Sequence, residues 1–121
     1  MKISKFYIKV YSTLLLLTLI IITNLMFPSE TLAIDDIAGK QIFLQHCSGC
    51  HVNGGNIIRR RKTLNLAALK RNGIDNPEAI AKIARIGTGS MSGYEEVLEK
   101  GQSEVVGKWI WEQAQNAWIQ G

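Results

Sequence analysis

At 121 residues, 46% of them apolar and with a formal charge of +4, the chain is one domain's worth of sequence. Part of that charge belongs to the N-terminus: residues 34–121 hold 11 Lys and Arg against 9 Asp and Glu, a balance that gives a nucleic-acid role little support. Two cysteines three positions apart are all the chain has, so their role decides its function.

Residues 1–33 open with Lys2, Lys5 and Lys9, continue through the apolar run Leu14 to Ile22 and close on Thr31-Leu32-Ala33. That order of basic, apolar and small residues is a secretory signal. The competing reading is an uncleaved anchor, since the 18 residues Val10 to Phe27 approach the length that crosses a bilayer. Ser12, Thr13, Thr18, Thr23 and Asn24 dilute that stretch, and cleavage is the expectation. Cleavage after Ala33 leaves 88 residues, 34–121, for which a purely side-chain core is marginal, so something is expected to supplement it. Export also places both thiols where they can oxidise.

The remainder shows no sustained alternation of period two, whereas apolar residues recur at helical spacing in four places. The fold class is therefore all-α, about four helices. The first is expected to start with Asp35 or Asp36 as N-cap and to run through Lys40 and Phe43 toward Cys47, with Ile37 and Leu44 in its apolar stripe. Gly54, Gly55 and the run Arg59 to Lys62 mark a loop, after which Asn65 caps a short helix that buries Leu66 and Leu69 and ends near Asn72-Gly73. Asn76 as N-cap, Pro77, Glu78 and a final Gly87 bracket a third helix whose apolar members are Ile80, Ile83, Ala84 and Ile86. Ser103 with Glu104 opens the last helix, which carries Val106, Trp109, Ile110, Ala114, Ala117 and Trp118, with Trp111 left toward solvent.

Cys47-Ser48-Gly49-Cys50-His51 puts two thiols and an imidazole on one side of a helical turn, where one flat macrocycle can meet all three. Each thiol can add to a haem vinyl group as a thioether, and His51 then supplies an axial nitrogen to iron. Two other readings compete. A thioredoxin-like dithiol normally follows a strand in a βαβ unit, and no such strand is predicted. A zinc site would need His46, Cys47, Cys50 and His51 to surround one ion from six consecutive residues, which is sterically poor.

Met1 and Met26 fall in the exported signal, leaving Met91 for the sixth position of iron. Its setting, Gly87-Thr88-Gly89-Ser90-Met91-Ser92-Gly93, is a loop whose backbone can approach a flat cofactor closely; the alternative is a gap-filling core methionine. His46 adjoins Cys47, far from the opposite haem face, and is expected at the surface. With His51 and Met91 both bound, iron has no open site, which leaves outer-sphere electron transfer by a carrier rather than an enzyme.

Together these residues resemble the class I cytochromes c and, within them, the cytochrome c6 family of cyanobacterial and algal thylakoid lumens, over residues 35–118. Further matching pieces are Gly39 with Phe43, Gly54-Gly55-Asn56, Lys62-Thr63-Leu64, and Gln113-Ala114 with Trp118. The resemblance implies one covalent haem c and the family's contact between first and last helices, carried here by Gly39, Phe43 and Trp109. It further implies a soluble carrier in the thylakoid lumen or periplasm of a cyanobacterium, touching membranes only through partner complexes. That carrier takes electrons from a cytochrome b6f-type complex and gives them to photosystem I or a terminal oxidase.

Two departures stand out. Met91-Ser92 replaces the usual Met-Pro, so the loop is expected to be held by its glycines without that restraint. Ile83 stands where standard members resemble a helix carrying Gln near the haem, and variants apolar at that place look like the c6B and c6C paralogues, which have lower potentials. Arg59, Arg60, Arg61 and Lys62 suit haem propionates, an acidic partner or simply solvent. The rival function is a redox or small-ligand sensor with a weak Met91 ligand.

Overall fold

The computed structural model describes residues 2–26 and 31–119. They fall in two compact units, Met1–Glu30 and Thr31–Gly121. The first contains helix α1, Lys2–Met26. Within it Phe6–Asn24 is long and apolar enough to cross a membrane. Thr13, Thr18 and Thr23 donate their hydroxyls to carbonyls three residues back, so these polar side chains are satisfied inside the helix itself.

The second unit runs α2 (Thr31–His46), a 3-10 turn (Val52–Gly54), α3 (Leu66–Arg71), α4 (Pro77–Ile86), β1 (Gly87–Thr88), β2 (Met91–Ser92) and α5 (Gln102–Gln115). Helices α2 and α4 both pack on α5. Apart from one two-residue ribbon the described residues are helical or irregular, as the all-α expectation requires.

Helix α2 departs most from expectation. It starts at Thr31, so Asp35 and Asp36 lie within it; neither caps it, and Asp35 instead faces Lys108 at 3.9 Å. Ile37 and Leu44, the expected apolar stripe, face solvent at 60% and 55% exposure, while Gly39, Ile42 and Phe43 are buried. The cause lies in the crossing with α5. A Cβ on Gly39 would stand 2.4 Å from Trp109 Cβ, so the absent side chain lets the two helices meet almost backbone to side-chain root. Close approach there, rather than the bulkiest apolar pair, selects the buried face. Gly39→Val is expected to cost about 1–3 kcal/mol through overpacking, whereas Ile37→Ser stays within about 0.5 kcal/mol. Thermal melts of the two holoproteins compare them directly.

Helices α3 and α4 follow their signals. Asn65 Oδ1 accepts from Ala68 N and Asn76 Oδ1 from Ala79 N, both at 2.8 Å, and Pro77 occupies the first turn, where its missing N–H costs nothing. Leu69, Ile80 and Ala84 are buried; Ile86 points out. Helix α5 begins at Gln102 with Gly101 (φ 90°) as its N-cap. Ser103 is buried in the first turn and donates to Glu104 instead of capping, which holds the Glu104 carboxyl below the usual carboxylate range.

Phe43 lies 5.0 Å from Trp109 and 5.3 Å from Trp118 between ring centroids, and this aromatic trio with the fully buried Val106 forms the centre of the core. Trp118 belongs to it although α5 stops at Gln115, and Ala117 is exposed. Trp111 is half-buried against the same core rather than open to water.

Candidate functional site

Helix α2 passes straight into the cysteine motif. The amides of Cys47 and Ser48 both donate to Phe43 O, and those of Cys50 and His51 to Cys47 O, so the motif is one further turn. Cys47, Cys50 and His51 thereby line a single cavity of about 570 Å³, shared with Met91 and the apolar Leu69, Ile80 and Ile110. Its volume lies within the roughly 300–1,000 Å³ typical of cofactor pockets.

His51 is 8% exposed, and its Nδ1 lies 2.8 Å from Gly55 O. A carbonyl only accepts, so Nδ1 carries the proton and the Nε2 lone pair is left for a metal. Burial, with a smaller contribution from nearby Cys50, pushes the Cys47 thiol up to about 11. A dithiol redox centre needs the opposite, a lowered thiol, so the thioredoxin-like reading loses ground. Among the described residues no three His, Cys, Asp or Glu side chains gather as a metal-ion site of their own.

Met91 stands on β2 of a short hairpin, not in the irregular, glycine-held loop its sequence suggested. Thr88 pairs with Met91 and Gly87 with Ser92 across the two-residue turn Gly89-Ser90. Gly89 (φ 56°) fills the first central position of that turn, where glycine is favoured. The hairpin is seated directly on the end of α4: a Cβ on Gly93 would fall 2.4 Å from Arg85 O. Tyr94 N donates to Ala84 O at 3.0 Å, and Arg85 pairs with Glu95 at 3.1 Å. Strand pairing and this close seat supply the restraint that proline would have given.

Ile83 is half-buried, lines the cavity and stands outside the fully buried cluster. His46 also lines the cavity; it is half-buried with its ring 5.9 Å from that of Tyr94, so its surface placement is corrected. The basic loop is stitched by two asparagines. Asn56 Oδ1 accepts from Ile58 N and Arg59 N and its Nδ2 donates to Lys62 O, while Asn72 Oδ1 accepts from Lys62 Nζ at 2.6 Å. Sequence reasoning gave none of these roles. Asn56 carries the Asx-turn signal that should have revealed its part; the contact of Tyr94 with His46 had no local signal.

Two thiols, an imidazole with one free nitrogen and a thioether around one largely apolar cavity form a donor set that fits a covalently held haem. No family model matches the chain. A cytochrome c6-like protein of Nostoc sp. (strain PCC 7120) is 40% identical over 105 residues, spanning 87% of this chain and 94% of that one. Cytochrome c6B from Synechococcus sp. WH8102 superposes with a TM-score of 0.67 at 57% identity, covering 78% of this chain and 100% of that one. Cytochrome c6C from Synechococcus sp. PCC 7002 does so at 0.63 and 43% identity, covering 65% and 96%.

Proposed function

This chain belongs to the cytochrome c6 family, and we propose that Cys47 and Cys50 would hold its haem as thioethers while His51 and Met91 would be the ligands to its iron. As a family member it carries one covalent haem c and is a single-electron carrier, not an enzyme. The observation that carries the assignment is the meeting of all four side chains on one cavity, with the His51 Nδ1 proton already committed to Gly55 O.

When bound, the haem supplies a one-electron iron couple. The protein's own residues do the rest. The His51–Gly55 hydrogen bond fixes the imidazole's tautomer and plane. The hairpin on α4 presents Met91, and Leu69, Ile80 and Ile110 keep water from the cavity's inner wall. Ile83 adds an apolar residue to that wall, which accords with the low-potential paralogues rather than the main lumenal carriers.

Residues 1–33 are read as a signal cleaved after Ala33 that delivers residues 34–121 to the thylakoid lumen or periplasm. Cleavage there removes only the first residues of α2 and leaves Gly39, Ile42 and Phe43 in the mature helix. The donor is a cytochrome b6f-type complex and the acceptor photosystem I or a terminal oxidase. Support for docking against an acidic partner comes from this chain's basic loop, in which Ile58 and Arg59 line the cavity and Ile57, Arg60 and Arg61 stand exposed. Among the described residues none of these arginines takes part in an ion pair. Changing Arg59, Arg60 and Arg61 to Gln is expected to slow reduction of the acceptor by about tenfold or more at low ionic strength, with little effect at high salt. Flash kinetics across a salt series measures this.

Spectroelectrochemical titration of the mature holoprotein tests the function. A single one-electron couple is expected. A potential near that of ordinary lumenal carriers supports direct supply of photosystem I, and a clearly lower one supports the Ile83 argument and an auxiliary route.

A further inference from the structure

Trp118 lies past the end of α5 on two successive residues of left-handed backbone, Ala117 at φ 53° and Trp118 itself at φ 56°. Side-chain-bearing residues hold such a conformation only where their surroundings fix it. What fixes it here reaches across the molecule. The indole Nε1–H donates to Leu64 O at 3.0 Å, a contact between residues 54 positions apart. The ring also covers Gly54, where a Cβ would stand 2.3 Å from it.

Leu64 and Gly54 lead to the haem site. Leu64 N donates to Gly54 O at 2.7 Å, and the next carbonyl, Gly55 O, accepts from His51 Nδ1 at 2.8 Å. An uninterrupted path thus runs from the indole through Leu64 and Gly54 to the peptide unit that orients His51. We propose that Trp118 is a positioning residue for His51, holding through Leu64 the loop carbonyl that sets the imidazole's orientation and donor strength. The proposal rests on the reading of His51 as the axial ligand.

An acceptor on Nδ1–H makes Nε2 a stronger donor and favours the more highly charged ferric ion. Loosening Gly55 O therefore favours the ferrous form. Trp118→Phe keeps an aromatic ring against Phe43 and Trp109 but removes the N–H. At a fixed applied potential it is expected to shift the ferrous-to-ferric ratio toward ferrous by up to about tenfold, the lower end for a lost outer-shell partner. Proton NMR should show the His51 Nδ1–H exchanging faster with solvent. Trp109→Phe disturbs the same aromatic cluster without touching the path, and is expected to lower stability while leaving both readouts unmoved.

If Trp118→Phe lowers only stability, with the potential and His51 exchange unchanged, Trp118 is a packing residue and the proposal fails. Should the variant not fold, the unmodified holoprotein still decides. One opening must free both protons, so the Trp118 Nε1–H and His51 Nδ1–H should be protected alike; a freely exchanging indole beside a protected imidazole overturns the proposal. His51 ring resonances without haem-induced displacement in the unmodified protein would instead sink the ligand assignment itself, a failure distinguishable from the others.

Discussion

Met91→Ala is expected to convert this carrier into a haem protein that binds carbon monoxide rapidly when ferrous. The substitution removes the thioether and leaves the hairpin in place, because that hairpin is held by the Thr88–Met91 backbone pairing and by Gly93 against α4, not by the side chain. Loss of a soft ligand that favours ferrous iron lowers the potential. The fall should be on the order of 0.1–0.3 V, a fraction of the roughly 0.8 V that axial ligation spans. The charge-transfer band of methionine-ligated ferric haem should vanish with it. Stopped-flow mixing with carbon monoxide and a redox titration of both proteins give the answer. Rapid binding by the unmodified protein would favour the sensor reading over the carrier.

Removing haem attachment should cost the fold. In Cys47→Ala with Cys50→Ala, nothing covalent retains the cofactor in the cavity of about 570 Å³ whose walls include the core residues Leu69, Ile80, Ala84 and Ile110. At about 24 cal/mol per Å³ an uncollapsed hole of that size costs on the order of 10 kcal/mol. That is comparable with the whole stability of a small domain, about 5–15 kcal/mol. The chain must therefore collapse, and the 88 residues of 34–121 have little other core to fall back on. The expected product retains helix but loses cooperative melting and the near-ultraviolet circular dichroism of Trp109 and Trp118. A sharp, cooperative transition in the apoprotein would contradict this account.

The haem motif was legible because its chemistry is local. Thioether spacing and the adjacent histidine all lie within five consecutive residues, and the turn they form needs no partner to be recognised. Helices α3 and α4 were legible for the same reason: Asn65, Asn76 and Pro77 act on amides within a turn of themselves. Met91 was nominated by elimination, and its support was expected to be an irregular loop rather than a hairpin. Two residues on either side of a turn carry too little alternation to announce a ribbon, and the seat of that ribbon is the C-terminal backbone of α4.

The helical class and the haem-attachment motif were readable because each rests on residues that are near neighbours in the chain, whereas Met91 was nominated by elimination among three methionines, which requires no contact at all. Tertiary packing alone set which face of α2 is buried, the place of His46 on the cavity beside Tyr94, and the hydrogen bond from Trp118 to Leu64 O. Those outcomes depend on how closely α2 and α5 approach at Gly39 and on a hydrogen bond joining residues 64 and 118. Contacts made across such separations leave no periodic trace in the residues on either side, and folding alone brings them into register.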